Sequence, residues 1–291
     1  MKSFGDNIRS QIKVASTLHR LLIANIALFA IIRIVNAVAS LFRIDVLDID
    51  FVVSWLAIPS NPLLLLYKPW TVFTYMFTHW EILHIFFNML WLYWMGRIFQ
   101  EYLGSKKLLS TYIMGGLFGA IAFIIAFNLF PLFSDIHSMS LMGASASVLA
   151  ITTATATLLP EYTIILFLFG PVRLKWIAIL SVFLSLISVR GMNPGGMIAH
   201  LGGAFYGYIF IMQLKKGTDL GNWLTRLFSL FSSRPKMKVT HKKKKTDDEY
   251  NLNRKARQER MDDILDKISK SGYGSLTQEE KDFLFKMSKE D

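Results

Sequence analysis

The chain has 291 residues, of which 53% are hydrophobic and 18% are charged, and its formal net charge is +11. An average soluble domain has about 25% charged residues. The charges are unevenly placed, because residues 215–291 hold 19 of the 32 Lys and Arg residues and 13 of the 21 Asp and Glu residues. This excludes a single soluble globule and predicts a membrane domain followed by a basic tail. The absence of cysteine excludes disulfides, thiolate metal sites and cysteine nucleophiles.

Six apolar stretches in the first 214 residues predict membrane helices. Several are shorter than the roughly 20 residues that a lipid-exposed helix needs, but short spans are stable where neighbouring helices cover their ends. We therefore predict an all-α membrane protein, a bundle of six transmembrane helices. The predicted spans are about Leu21–Leu41, Ile82–Phe99, Leu108–Phe130, Ala144–Leu159, Leu174–Val189 and Met197–Leu214.

Two connections between the predicted spans are unusually apolar. Residues Asp45–Trp70 form a long loop rich in Trp and Leu, which favours the membrane interface over water. Residues Glu161–Trp176 contain an apolar run that Gly170 and Pro171 interrupt, and it is too short to span. We predict an interfacial or re-entrant hairpin there.

The basic residues of the connecting segments predict the orientation, because cytoplasmic loops carry an excess of Lys and Arg. With six spans, eleven basic residues lie on one side of the membrane, and Arg43, Lys68 and Arg190 lie on the other. Both termini are therefore predicted to be cytoplasmic, as expected for a bacterial inner membrane protein. The eleven residues are Lys2, Arg9, Lys13, Arg20, Arg97, Lys106, Lys107, Arg173, Lys175, Lys215 and Lys216.

The predicted domains are a cytoplasmic segment over 1–20, a membrane domain over 21–214 and a basic cytoplasmic tail over 215–291. Thr277 and Glu280 have the spacing of a capping box, and apolar periodicity on both sides of 271–274 predicts a small helical hairpin. The run Lys242–Lys245 predicts binding to anionic lipid rather than to nucleic acid, since the tail follows a membrane domain directly. A solvated linker without lipid affinity is the alternative.

Three groups of polar residues lie in the predicted spans, where burial of such groups is costly and indicates function. His84 and Asn88 are four residues apart and therefore share one helical face; they could also be a structural interhelical pair. Ser145 follows Gly143 at the start of the fourth span, where the helix dipole favours developing negative charge. The alternative for Ser145 is an ordinary N-cap with small-residue packing.

The third group is His200 with Gly203 and Gly207 in the sixth span. The two glycines form a GxxxG pattern, which lets a neighbouring helix approach closely. His200 lies one turn before them and could instead be a packed histidine bonded to a backbone carbonyl. Together the three groups supply a nucleophile, a base and oxyanion donors.

In this combination and order the residues resemble the rhomboid family of intramembrane serine proteases, over roughly Leu18–Leu214. The motifs are HxxxN at His84 and Asn88, GxSx at Gly143–Ala146, and AHxxGxxxG at Ala199–Gly207, with His79 as a supporting mark. The resemblance implies a rhomboid protease domain over 21–214 that cleaves transmembrane protein substrates without a cofactor or metal. It implies Ser145 as the nucleophile, His200 as the general base, and His84, Asn88 and Ser145 at the oxyanion hole.

Some positions depart from the family pattern without changing the implied catalytic pair, Ser145 and His200. Trp70 is followed by Thr71 where many members have Arg, Ala146 stands where many have Gly, and Gln100 stands at or beside a position often held by Glu. Ser147 is a second candidate nucleophile, but it lies about 200° around the helix from Ser145. Two other functions stay open: a catalytically inactive relative that binds or escorts membrane proteins, and a transporter or channel with a histidine proton relay.

Overall fold

The computed structural model describes residues 16–44, 49–134, 136, 139–166, 170–191, 193–231 and 247–287. Within these ranges the chain is mostly helical, as the predicted all-α class requires. The basic residues Lys2, Arg9, Lys13, Lys236, Lys238 and Lys242–Lys245 lie outside the described residues, as do Asp45 of the first long loop and Met192. The helices are α1 Thr17–Leu41, α2 Ile49–Leu56, α3 Pro62–Tyr67, α4 Thr71–Thr74, α5 Ile82–Leu129, α6 Ser145–Leu158, α7 Leu174–Ile187, α8 Pro194–Lys215, α9 Asn222–Phe231, α10 Asp247–Ser271 and α11 Gln278–Met287.

Among the described residues, three helices are long and apolar enough to cross a membrane: α1, α5 and α8. Helix α5 bends at Gly104, whose φ of 83° lies outside the helical region, so its 48 residues form two arms where two spans were predicted. Helices α6 and α7 have 14 residues each, about 21 Å at 1.5 Å per residue, and are shorter than the roughly 30 Å hydrocarbon core. The number of membrane crossings therefore stays a prediction.

Close packing of α8 against α6 organises the centre of the bundle. A Cβ added to Gly203 would lie 2.1 Å from the main-chain oxygen of Ala146, and one added to Gly207 would lie 2.2 Å from that of Ala150. The two glycines thus let α8 lie directly on the backbone of α6, as the GxxxG pattern predicts. Because Ala146 follows Ser145, this contact fixes α8 beside the first turn of α6.

Gly203→Ala is expected to destabilise the protein by about 1–3 kcal/mol, because the added methyl group meets a backbone oxygen that cannot rotate away. Thermal unfolding of the purified protein in detergent measures the effect. The control is Phe205→Leu on the same helix, where the side chain is 59% exposed and little change is expected. Equal unfolding midpoints for Gly203→Ala and wild type would contradict the packing described.

The segment predicted as one long loop before α5 contains more regular structure than expected. Helices α2, α3 and α4 lie within or beside it, and strand β1, Ile58–Pro59, pairs antiparallel with β2, Ser140–Leu141. The indole Nε1 of Trp70 donates to the main-chain oxygen of Trp55 at 2.8 Å, and their rings stack at 5.7 Å. The predicted loop thus contains short helices and a strand that were not predicted, whereas its position in the membrane interface stays a prediction.

The connection between α6 and α7 is a β-hairpin, in agreement with the predicted chain reversal but not predicted as strands. Strand β3, Thr163–Leu166, pairs antiparallel with β4, Gly170–Arg173, and Gly170 has a φ of 69°. Glu161 accepts a hydrogen bond from Lys175 and forms an ion pair with Arg173 at 2.7 Å. These two cations, Lys175 foremost, lower the pKa of the Glu161 carboxyl.

The chain divides into two compact units, residues Met1–Ser233 and Arg234–Asp291. The first unit extends beyond the predicted membrane domain, because Leu224 of α9 is only 4% exposed and belongs to its core. In the second unit, Thr277 N donates to Glu280 Oε2 at 2.7 Å, and Glu280 N donates to Thr277 Oγ1 at 3.4 Å. The predicted capping box is therefore confirmed.

Candidate active site

Ser145 is the first residue of α6, and the loop before it is anchored from two sides. The amide of Gly143 donates to the main-chain oxygen of Tyr75 at 2.9 Å, and the amide of Ala144 donates to Nε2 of His79 at 3.2 Å. The cap position is Ala144, which makes no side-chain cap bond, so the alternative of Ser145 as an N-cap was wrong. The Ser145 side chain is instead available to the cavity described below.

Gly143 is required at its position for two reasons. Its φ of 120° lies in a region that residues with a Cβ rarely adopt. A Cβ there would also lie 2.7 Å from Cε1 of His84. The glycine of the GxSx motif therefore lets the loop turn into α6 while the imidazole of His84 lies against its backbone.

His84 and Asn88 lie on the first turns of α5 and face the same cavity. Asn88 Nδ2 donates to the main-chain oxygen of His84 at 2.9 Å, which uses one of its two amide hydrogens. The second amide hydrogen takes no part in that bond. His84 also packs edge-to-face on His79, with ring centroids 5.2 Å apart.

His200 lies on the second turn of α8, and its imidazole has a partner that the sequence did not predict. Nδ1 of His200 is 3.2 Å from Oγ of Ser185 on α7. The alternative, a histidine bonded to a backbone carbonyl, was therefore wrong, because the partner is a serine hydroxyl. Ser185 itself is only 4% exposed.

One cavity of about 880 Å³ brings the predicted site residues together. It lies where α5, α6 and α8 begin and α7 ends. Ser147 lies elsewhere: its hydroxyl is fully buried, and a Cβ added to Gly116 of α5 would lie 2.8 Å from it. The four predicted site residues lining the cavity are His84, Asn88, Ser145 and His200, and further lining residues include Glu81, Ser185 and Asn193.

Two residues that contact the site, His79 and Ser185, were not predicted as site residues. His79, predicted only as a supporting mark, is fully buried. Its Nε2 accepts a hydrogen bond from the amide of Ala144, and its Nδ1 lies 3.3 Å from the main-chain oxygen of Phe77. Since Nε2 accepts a hydrogen bond, Nδ1 carries the proton and donates to that oxygen. The sequence feature that could have indicated His79 is its position five residues before His84. For Ser185 the sequence offers only a hydroxyl in an apolar helix.

Family models match two parts of the chain. A family model described as the rhomboid domain matches residues 67–216, which is about half of the chain and includes all four predicted site residues. The chain belongs to the rhomboid family. The match and the apolar helices of this rhomboid identify an integral membrane protein.

Individual relatives match a shorter stretch. The proteins named rhomboid protease GlpG from Salmonella newport (strain SL254) and Salmonella heidelberg (strain SL476) are 38% identical to this rhomboid over 66 residues. That stretch covers 23% of this chain and 24% of each relative, so the chain spans about a quarter of the length of the curated relatives it matches. Residues 244–290 match a second family model, described as a family of unknown function (DUF6576).

Proposed function

We propose that this rhomboid is an intramembrane serine endopeptidase that hydrolyses a peptide bond in or near a transmembrane segment of other membrane proteins. The observation that carries the proposal is that Ser145 and His200, from two helices packed on each other, line one cavity together with His84 and Asn88. A nucleophile, a base and two hydrogen-bond donors in one cavity are the groups that acyl transfer needs.

The proposed reaction proceeds in two steps. Oγ of Ser145 attacks the scissile carbonyl carbon while its proton passes to Nε2 of His200, and the developing oxyanion accepts hydrogen bonds from Asn88 and His84. The proton then passes from His200 to the leaving amine as the peptide C–N bond breaks. Water, deprotonated by His200, hydrolyses the resulting acyl-enzyme and restores Ser145. The substrate helix must unwind locally, because its own hydrogen bonds shield the carbonyl.

We propose that the cavity opens toward the outer face of the membrane. Among the described residues, basic side chains lie just after the bend of α5 and at the ends of α7 and α8 distant from the cavity, which favours a cytoplasmic position for these three places. Water can then reach the cavity from the outer side without crossing the bilayer. The basic residues in question are Lys106, Lys107, Lys175 and Lys215.

A fluorogenic peptide containing a transmembrane segment tests the proposed function directly. The purified protein is expected to cleave it, with a new amino terminus within or next to the segment. Binding of the peptide without cleavage would point to the inactive escort function instead. If the protein neither binds nor cleaves any transmembrane peptide in a panel, the protease function and the escort function are both contradicted.

Asn88→Ala is expected to reduce kcat by about 10- to 1000-fold with a smaller effect on KM, the usual cost of one oxyanion donor. Asn25→Ala is the matched control, because Asn25 is also buried and also donates to the carbonyl four residues earlier, Leu21, at 2.9 Å. The control is expected to change the unfolding midpoint but not kcat. A rise in KM with unchanged kcat for Asn88→Ala would indicate substrate docking instead.

Deletion of residues 234–291 is expected to leave cleavage of a detergent-solubilised peptide unchanged, since the four proposed site residues and Leu224 all belong to the first unit. Steady-state kinetics of the truncated protein measure this. A loss of activity would show that the second unit supports the membrane domain.

We also propose that the basic tail binds anionic lipid through the run Lys242–Lys245, at up to about 1 kcal/mol per basic residue. The full chain in detergent micelles doped with anionic lipid is compared with the chain truncated after residue 233. The expected result is stronger retention of anionic lipid by the full chain, lost as salt rises. Equal retention by the two proteins would exclude a role of the tail in lipid binding.

A further inference from the structure

The Ser185 hydroxyl on α7 has two polar neighbours. It lies 3.2 Å from Nδ1 of His200 and 2.8 Å from the main-chain oxygen of Ser181, one turn earlier on its own helix. The side chain is only 4% exposed, so water does not compete freely for either contact. None of the rhomboid motifs identified in the sequence lies on α7.

Counting hydrogens indicates a direction for both contacts. A serine hydroxyl has one hydrogen to donate, and a main-chain oxygen can only accept. The Ser185 hydrogen is therefore directed to the Ser181 oxygen, and a lone pair of Oγ faces the imidazole of His200. For the second contact to be a hydrogen bond, Nδ1 must carry the proton. Nε2 of His200 is then unprotonated and able to accept one.

We propose that Ser185 is a positioning residue that holds His200 in the tautomer whose Nε2 takes the proton from Ser145. In serine proteases with a triad, an aspartate has this role and also stabilises the imidazolium that forms. Ser185 supplies a neutral acceptor, its Oγ, at the same ring nitrogen, Nδ1. The inference rests on the proposed function, because only an acting base benefits from a fixed tautomer.

The charged groups near the cavity do not offer His200 the same contact. Glu81 is the carboxylate among the described lining residues, and it immediately precedes α5, three residues before His84. His84 is the other imidazole among these lining residues and packs against Gly143 and His79. Ser185 is thus the hydrogen-bond partner that the structure gives to Nδ1 of His200.

Three variants separate this role from a general effect on folding. Ser185→Ala removes the acceptor, whereas Ser185→Thr keeps a hydroxyl that can make the same bond to the carbonyl one turn earlier. Thr155→Val is the control, because Thr155 is fully buried and donates to the Ile151 oxygen at 2.7 Å, but it does not line the cavity. Loss of one neutral hydrogen bond is worth up to about tenfold in rate.

The kinetic expectation is a fall in kcat of about tenfold for Ser185→Ala at unchanged KM, based on the loss of one neutral hydrogen bond. Ser185→Thr is expected to restore most of that activity, and Thr155→Val is expected to match wild type. Unchanged kcat in Ser185→Ala would overturn the inference. So would an equal loss of kcat in Ser185→Ala and Ser185→Thr.

The tautomer itself is read by nitrogen-15 NMR of protein labelled at histidine, with the His200 signals assigned by their absence in His200→Gln. In wild type at neutral pH, Nδ1 is expected to give the signal of a protonated nitrogen and Nε2 that of an unprotonated one. Ser185→Ala is expected to shift His200 toward the other tautomer. A wild-type Nε2 that carries the proton, or a tautomer unaffected by Ser185→Ala, would overturn the inference. This readout needs no turnover, so an inactive wild type contradicts the proposed function separately.

Discussion

Replacement of Ser145 by alanine is expected to abolish peptide cleavage, by at least about 10,000-fold, while the protein stays folded in detergent. The reason is chemical: the variant has no nucleophile, and the loss of a serine nucleophile removes most of the rate enhancement of a serine protease. Ser145 is the first residue of α6 and lines the cavity, and its side chain makes no cap bond that alanine would break. Cleavage of the fluorogenic transmembrane peptide measures the loss, and the unfolding midpoint reports the fold.

Ser147→Ala is the matched control for this experiment, two residues along the same helix. The Ser147 hydroxyl is fully buried without a hydrogen-bond partner in the described part of the chain, and it lies against Gly116 rather than in the cavity. Near wild-type cleavage is therefore expected. The opposite pattern, activity in Ser145→Ala and none in Ser147→Ala, would show that the nucleophile is wrongly assigned.

His200→Ala is expected to have an effect of similar size, about 10,000-fold or more, because Ser145 then has no base to take its proton. The contact of His200 with Ser185 would also be lost, but the packing of α8 on α6 depends on Gly203 and Gly207 and stays in place. His19→Ala is the control and should leave cleavage unchanged, because His19 is an exposed residue of α1 that contacts the N-cap Ser16. Cleavage by His200→Ala within tenfold of wild type would exclude His200 as the base.

The sequence predicted helices α1, α6, α7 and α8 to within a few residues, because each is an apolar run bounded by polar or turn-forming residues. The predicted span Leu174–Val189 corresponds to helix Leu174–Ile187, and Met197–Leu214 corresponds to Pro194–Lys215. The GxxxG pattern also predicted the close contact of α8, since only a residue without a Cβ permits an oxygen at such a distance. Apolar runs and the GxxxG spacing involve residues close together in the chain, so they can be recognised in the sequence.

Contacts between distant segments could not be predicted in the same way. Strands β1 and β2 have two residues each, too few for an alternating pattern, and they pair across about 80 residues of chain. Ser185 lies in an apolar helix, where a serine bonded to its own backbone is common, and only the packing of α7 on α8 brings it to His200. These features depend on the assembled bundle, so no spacing within one segment reveals them.

Labelling with a serine-directed fluorophosphonate, followed by mass spectrometry of the modified peptide, decides whether Ser145 is the activated nucleophile. The reagent reports an activated serine hydroxyl without depending on the identity of the natural substrate. One adduct is expected, on Ser145, which disappears in His200→Ala and is reduced by an excess of a cleaved transmembrane peptide. An adduct on Ser147, or cleavage by a protein whose Ser145 is never labelled, would contradict the assignment of Ser145 as the nucleophile.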